Sequence, residues 1–193
     1  MTSAAQSRLT YKVHLAGGQA RLREMIIYIS TKCVHAPRWG KTKLNKILWR
    51  ADFTSFAERG VPVTGRPYQR LRNGPAPAEM APLLGEMLNS RIITIDFNDL
   101  GNNMVEERIF PIMNPNLQAF SRDDIKYVDD SIDYYWGDTA TEASDDSHGI
   151  AWKSRADGDP MPYELSYLSD RKLSLDMQRK LAVLGAEHGW KSE

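Results

Sequence analysis

A run of four polar residues offers the side-chain types of a hydrolytic site. Residues 145–148 are Asp-Asp-Ser-His, and a nucleophilic triad uses serine, histidine and aspartate. In such a triad the three side chains converge on one point in space, which direct neighbours in a chain rarely do. The sequence therefore does not predict nucleophilic catalysis by Ser147 and His148.

A cysteine and a histidine two positions apart raise the question of a metal site. Cys33 and His35 stand at the end of a segment with helical spacing. On a helix, residues two apart point in different directions, so they do not bind one ion together. The spacing predicts a core cysteine beside a surface or capping histidine. Since the sequence also has no phosphate loop or dinucleotide fingerprint, we expect neither a metal nor a cofactor.

Aspartates on the segment that follows Ser121 could serve as a general acid and base. Asp123 and Asp124 fall in the first turn of a predicted helix, where negative charge is favourable. Three further aspartates of this helix lie away from its apolar stripe, at Asp129, Asp130 and Asp133. A solvated acidic face accounts for them, and the sequence does not predict an enzyme.

The apolar periodicity predicts the elements that position these side chains. Helices are expected over residues 21–35, 41–58, from Pro77 or later to 88, 121–136, 139–147 and 174–188. A strand over Tyr68–Leu71 is expected to end at the Gly74-Pro75 pair, and residues 91–112 are expected to form a hairpin. The predicted fold class is α+β, a mostly helical single domain with a small antiparallel sheet or hairpin.

Residues at the two ends of the chain are expected to flank this domain. Residues 1–20 contain no acidic residue and no apolar core of a signal peptide, which predicts a flexible lead-in. Residues 157–193 are predicted to be a loop and a C-terminal helix that packs on the domain. The sequence contains no apolar run of about 20 residues, so no membrane span is expected. A single cysteine excludes an intrachain disulfide and fits the cytoplasm.

The charges are unevenly distributed along a chain that is neutral overall. Nine basic and two acidic residues lie between Arg38 and Arg72, whereas nine acidic and two basic residues lie between Ser121 and Asp146. Either the two segments face each other or are solvated, or the basic segment is a surface that faces a partner.

Helices followed by a hairpin also suggest a winged-helix DNA-binding protein, with phosphate contacts on the basic face of helix 41–58. The would-be wing argues against it, because it carries two arginines and four acids, Asp96, Asp99, Glu106 and Glu107. A phosphate backbone repels a surface of that sign, and the chain has no overall positive charge. A DNA-binding transcriptional regulator therefore stays as the second function class.

Three segments taken in order resemble the Panacea domain of SocA-like antitoxins. They are KTKLNKILWRADF at 41–53, YQRLRNGPAP at 68–77 and SHGIAW at 147–152. In that family a Lys/Leu-rich helix, an extended segment leading to a Gly-Pro turn, and a Ser-His…Trp element recur. Trp49 stands here where a tyrosine is common in the helix, and the remaining motif residues are Gly74, Pro75, Ser147, His148 and Trp152.

The resemblance implies an antitoxin domain over residues 21–156. It implies a bacterial or prophage protein that neutralises a cognate protein toxin, encoded by an adjacent gene, through direct contact. The family also resembles a proteolytic adaptor that delivers a toxin to the ClpXP protease, which is a third alternative. Homo-oligomerisation is left open.

The motif residues have structural interpretations beside this functional one. Trp49 and Trp152 are expected as core aromatics, Gly74-Pro75 as a turn that locks the strand against helix 41–58, and His148 as a hydrogen-bonding residue across the core. Direct contact of these residues with a partner stays the alternative. A toxin-binding patch is predicted beside the turn, which would hold its basic residues still and lower the entropic cost of binding. Its members are Lys43, Lys46, Arg50, Arg70 and Arg72.

Overall fold

A computed structural model describes residues 9–101 and 104–168 of the chain. Helices in these ranges are α1 (Ala20–Lys32), α2 (Lys41–Arg59), α3 (Met80–Asn89), α4 (Arg122–Tyr135), α5 (Ala140–Ser147) and α6 (Ile150–Lys153), with a 3₁₀ helix at Tyr163–Tyr167. Strands are β1 (Tyr68–Leu71), β2 (Gly74–Pro77), β3 (Ile93–Gly101), β4 (Met104–Pro111) and β5 (Pro160–Met161). The predicted mostly helical α+β class with small antiparallel sheets is confirmed. The predicted helix over 174–188, with Leu175, Met177, Leu181 and Leu184 inward, lies outside the described residues.

Helix α2 occupies the centre of the fold. It packs against α1, α4, α5, β2 and the 3₁₀ helix. Its stripe of Leu44, Ile47 and Leu48 is fully buried in the main core. Phe53 and Phe56 point into a second, aromatic cluster on another side of the helix. Because apolar side chains cover two sides of the helix, α2 is central, as its wide apolar surface predicts.

Strands β1 and β2 form a tight hairpin against α2. The pairs run from Tyr68 opposite Pro77 to Leu71 opposite Gly74, and β5 adds to the other side of β1. The predicted strand over Tyr68–Leu71 is confirmed and ends before Gly74-Pro75. The second strand that begins at Gly74 is not predicted by the sequence. Proline is tolerated there because β2 is the edge strand of the sheet, in the order β2-β1-β5.

Strands β3 and β4 form the predicted second hairpin. Its base is anchored in the main core by Ile93 and Ile109, which are both buried. Phe97 and Val105 near its far end are 66% and 57% exposed. The hairpin therefore projects from the domain.

Capping boxes begin α4 and α5 at the predicted residues. Ser121 accepts a hydrogen bond from the backbone N–H of Asp124, whose carboxylate accepts one in return from the N–H of Ser121. Thr139 and Glu142 repeat the arrangement at α5. These boxes satisfy backbone donors that a helix start leaves free.

The described part of the predicted lead-in is hydrogen bonded to the domain. The N–H of Val13 donates to the carbonyl of Gly65 across 3.0 Å, and the N–H of Tyr163 donates to the carbonyl of Thr10 across 2.8 Å. Residues 9–19 therefore contact both the segment before β1 and the start of the 3₁₀ helix. No helix within the described ranges has the length and apolar character needed to cross a membrane.

Candidate functional site

A buried lysine on α2 connects the helix to the β1–β2 hairpin. The ammonium group of Lys46 donates a hydrogen bond to the carbonyl of Pro75 across 3.3 Å. The side chain is 1% exposed, and burial lowers the pKa of Lys46 to about 7. A cation in this position is costly because no described carboxylate lies within ion-pair distance. Lys46 is therefore poised between its charged and neutral forms near neutral pH.

Gly74 lets the hairpin approach α2 and α5 closely. Its φ of +95° lies in the left-handed region, and a β-carbon there would overlap the Lys46 ammonium and the Ser147 hydroxyl. Ser147 in turn donates to the carbonyl of Ser144 across 2.7 Å. The side chain of Ser144 donates to the carbonyl of Asn73 in the hairpin turn across 3.0 Å. The turn, α2 and α5 are thus fastened together at one point.

A stack of three side chains covers the outer side of this junction. The indole N–H of Trp152 donates to the carbonyl of Leu71 across 2.9 Å. The imidazole of His148 stacks on Trp152 with ring centres 4.0 Å apart, and the guanidinium of Arg70 lies 3.8 Å from the indole centre. Arg70 also forms an ion pair with Asp157 at 2.9 Å.

The sequence predicts a hydrogen bond from His148 across the core, and the described residues show none. Its Nε2 is buried without a hydrogen-bond partner among the described residues. Burial lowers the pKa of His148, and the nearby positive charge of Lys46 lowers it further. Both effects favour the neutral imidazole, and stacking on Trp152 holds the ring in position.

The polar run at 145–148 is divided among separate partners. The carboxylate of Asp146 accepts hydrogen bonds from the hydroxyls of Tyr134 and Tyr135 at 2.8 and 2.7 Å. The hydroxyl of Ser147 points to a backbone carbonyl of its own helix. Asp146 therefore joins α5 to α4, and the hydroxyl of Ser147 is used within α5.

An open groove of about 580 Å³ lies beside this cluster, on the side of α2 that carries Trp49. We call it the α2 groove. Its apolar lining is contributed by α2, α6 and the 3₁₀ segment, through Trp49, Phe53, Ala57, Ala151, Leu165 and Leu168. Tyr134, Asp146 and Gly149 close one side, and Arg50 and Glu58 lie along α2.

Arg50 stands at one end of the groove with its hydrogen-bonding capacity unused. Its guanidinium lies 3.6 Å from the centre of the Tyr134 ring. Within the described part of the chain it makes no hydrogen bond or ion pair. A guanidinium carries five N–H donors and binds carboxylates with two of them at once.

Residues 44–153 match the family model for the Antitoxin SocA-like, Panacea domain. The chain belongs to the SocA-like antitoxin family. The match includes most of each of the three motifs, and in the structure Lys46, Gly74, Ser147 and Trp152 meet at the junction described above. No match was found among curated proteins or among solved structures.

The basic residues that the sequence assigns to one toxin-binding patch are not together on the surface of this Panacea domain. Lys43 and Lys46 are each 1% exposed, and the Lys43 ammonium donates to the carbonyls of Pro37 and Trp136 at 3.0 and 3.2 Å. The sequence predicts that both lysines lie on a basic face of α2, but the structure buries them under the end of α4 and under β2. The toxin contact itself stays a prediction for the other members.

The remaining members of the predicted patch, of which Arg72 is exposed and Arg50 and Arg70 are half-buried, lie in different surroundings. Arg70 is engaged by Trp152 and Asp157, Arg72 is exposed in the β1–β2 turn, and Arg50 borders the α2 groove. Trp49 and Trp152, expected in the core, are both half-buried. The two tryptophans thus face the groove and the hairpin junction, where each keeps an accessible edge.

Cys33 and His35 lie apart from this cluster. Cys33 is buried at the end of α1, and burial raises the pKa of its thiol to about 12, which keeps it protonated at neutral pH. His35 is exposed, so the predicted core cysteine beside a surface histidine is confirmed. Among residues 9–101 and 104–168, no three histidine, cysteine or acidic side chains converge as metal ligands.

The α2 groove was missed by sequence reasoning. Its lining comes from segments up to about 120 residues apart, which no local pattern reveals. A partial signal was present, because Trp49, Phe53 and Ala57 recur every four residues on α2. That spacing marks a second apolar face beside the core stripe of Leu44 and Ile47.

Proposed function

We propose that this antitoxin-family protein neutralises a cognate protein toxin by direct, stoichiometric binding and without catalysis. The observation that carries the proposal is the family match over residues 44–153. The toxin is encoded by an adjacent gene of a bacterial or prophage locus, and the complex forms in the cytoplasm.

The geometry supports a binding role. Ser147 and Asp146 are committed to structural hydrogen bonds, while the α2 groove is open, partly apolar and bordered by an unpaired guanidinium. Concave, mostly apolar sites with a few polar groups are typical of binding surfaces. A rigid junction behind the groove lowers the ordering cost of association.

Co-expression tests the proposal. The adjacent reading frame is expressed from an inducible promoter in a heterologous bacterial host, with and without this chain, and growth is scored. We expect arrested growth with the toxin alone, restored growth with both, and co-purification at a fixed ratio. Growth that stays arrested in the presence of the soluble chain contradicts the proposal.

The same assay separates binding from the alternative of a ClpXP adaptor. In a host that lacks ClpX, a stoichiometric binder still restores growth and the toxin accumulates in the complex. An adaptor restores growth only in the host that has ClpX, and the toxin level falls. Promoter binding with a steep salt dependence would instead favour the transcriptional regulator.

A further inference from the structure

We infer that the α2 groove is the toxin-binding site and that it accepts a short segment of the toxin in which a carboxylate accompanies apolar side chains. The inference rests on the proposed function, since it names the surface and the partner chemistry for that binding. In the complex the carboxylate pairs with Arg50 and the apolar side chains cover Trp49 and Ala57.

The apolar surface of the groove is accessible. Trp49 and Ala57 are half-buried, and Tyr134 and Leu168 at the rim are 42% and 45% exposed. Exposed apolar residues that line one concavity, rather than being scattered singly, are a mark of interaction sites. Covering them removes apolar area from water, which favours association.

Arg50 is oriented for a carboxylate before any partner arrives. Its guanidinium stacks on Tyr134 at 3.6 Å, and the hydroxyl of Tyr134 is held by Asp146 at 2.8 Å. A partner therefore does not have to immobilise a free arginine, and a planar guanidinium can present two parallel donors to a carboxylate.

Several half-buried or buried arginines of the domain already pair with carboxylates. Arg21 and Arg59 pair with Asp124, Arg66 pairs with Glu79, and Arg70 pairs with Asp157. Arg50 differs from them, because its one described contact is with an aromatic face.

The two carboxylates of the groove are engaged by other groups, Asp146 by the hydroxyls of Tyr134 and Tyr135 and Glu58 by the hydroxyl of Tyr127. The guanidinium of Arg50 therefore keeps its donors for a carboxylate of the partner.

The opposite end of the groove fixes the direction and size of the occupant. Glu58 lines it, and its carboxylate accepts a hydrogen bond from the hydroxyl of Tyr127 at 2.7 Å. Arg50 and Glu58 are eight residues apart on α2, a rise of about 12 Å. Two turns of a helix or about four extended residues span that length. The acidic group of the segment lies at the Arg50 end, because the Glu58 end repels it.

Binding of the purified toxin from the adjacent reading frame tests the inference with full-length variants. Arg50→Glu reverses the charge, Ala57→Arg fills the apolar floor, and Arg122→Glu is the matched control. Arg122 is exposed on α4, outside the groove, and its reversal changes the net charge by the same amount. Melting temperatures of the isolated variants show whether each is folded.

We expect Arg50→Glu and Ala57→Arg each to raise the Kd about 100-fold or more, and Arg122→Glu to leave it within about two-fold. Arg50→Lys keeps the charge without the planar fork and is expected to raise the Kd about ten-fold. A lysine substituted for the contacting acid of the toxin should restore binding to Arg50→Glu.

Four outcomes overturn the inference. Unchanged Kd values for Arg50→Glu and Ala57→Arg, with tight wild-type binding, overturn it and leave the proposed function standing. Absence of wild-type binding contradicts the proposed function and removes the toxin as occupant. A large fall in the melting temperatures of both isolated Arg50→Glu and isolated Ala57→Arg assigns the groove to the chain's own residues 169–193, and conversion of a wild-type dimer to a monomer assigns it to a second copy.

Discussion

The ammonium group of Lys46 donates its hydrogen bond to the carbonyl oxygen of Pro75 across 3.3 Å of the protein interior. This bond joins the first family motif, on α2, to the second, on β2. A buried amine placed against a glycine and a serine rather than a carboxylate makes the junction sensitive to pH.

The free energy of unfolding of the wild type should rise between pH 7 and pH 9, and Lys46→Met should abolish most of that rise. The folded pKa of Lys46 is about 7, against an ordinary value of 10.5, so the unfolded chain binds more protons in this window. The free energy of unfolding therefore increases with pH through it, by up to about 2 kcal/mol. Urea unfolding at the two pH values measures the difference.

The exposed lysine of α4 is the control for this titration. Lys126→Met should leave the rise between pH 7 and pH 9 in place, because Lys126 is solvated beside Asp130. Lys43, whose pKa burial also lowers, accounts for a remainder in Lys46→Met. An identical pH dependence in wild type and Lys46→Met would show that the amine is hydrated.

Gly74→Ala should destabilise the domain by about 2 kcal/mol or more, because the new methyl group combines left-handed strain with an overlap at Lys46 and Ser147. Gly60→Ala is the matched control. Gly60 also has a positive φ, at +74°, but has open space around it, so strain alone of about 1 kcal/mol is expected. Thermal unfolding of both variants checks the order, and equal losses would mean that the junction relaxes around the methyl.

Charge reversal should affect the melting temperature differently at Arg70 and Arg72, although the sequence assigns both arginines to the same predicted patch. Arg70→Glu loses the stack on Trp152 and puts a carboxylate beside Asp157, which should lower the melting temperature by about 3 °C. Arg72→Glu should change it by less than about 1 °C, since Arg72 is exposed and has no described partner. Scanning calorimetry decides, and a stable Arg70→Glu would argue that the stack contributes nothing.

Asp124→Asn should cost about 3 kcal/mol at pH 7, because Arg21 and Arg59 both donate to this buried carboxylate. Burial raises the pKa of Asp124, but the Ser121 N–H and the Arg59 guanidinium outweigh it and lower the pKa below the ordinary value of 3.8. Its contribution is therefore present above pH 4 and is lost as the pH falls through the folded pKa. Asp123→Asn, at the exposed neighbour, should show neither effect in chemical unfolding.

Local patterns predicted most elements of the fold. Helix α2, the capping boxes at Ser121 and Thr139, and the β3–β4 hairpin follow from periodicity and from residue types that act within a few positions. Burial of Lys43 and Lys46 was not predictable in this way. It depends on carbonyl groups brought by β2 and the end of α4, which are about 30 and 90 residues away in the chain.

The candidate site was predictable in its parts but not in its arrangement. Trp49, Ser147 and Trp152 were singled out as motif residues, and all three lie at the junction or the groove. Arg50 has no ion pair in the described structure because the acidic residues pair with other arginines. Asp157, for example, pairs with Arg70, although the two are 87 residues apart in the chain. Such pairings are decided by tertiary packing and leave no mark on local spacing.

The prolines of β2 have a consequence for how this sheet behaves when molecules are crowded. Ala78 N–H bonds to the Pro67 carbonyl, and the register then turns the nitrogens of Pro75 and Pro77 outward from β1. These nitrogens carry no hydrogen, so the rim of the sheet lacks the donors that an incoming strand from another chain would need. The prolines therefore disfavour the addition of a strand from another molecule to the β2 edge, which is the step by which a fibril would grow there.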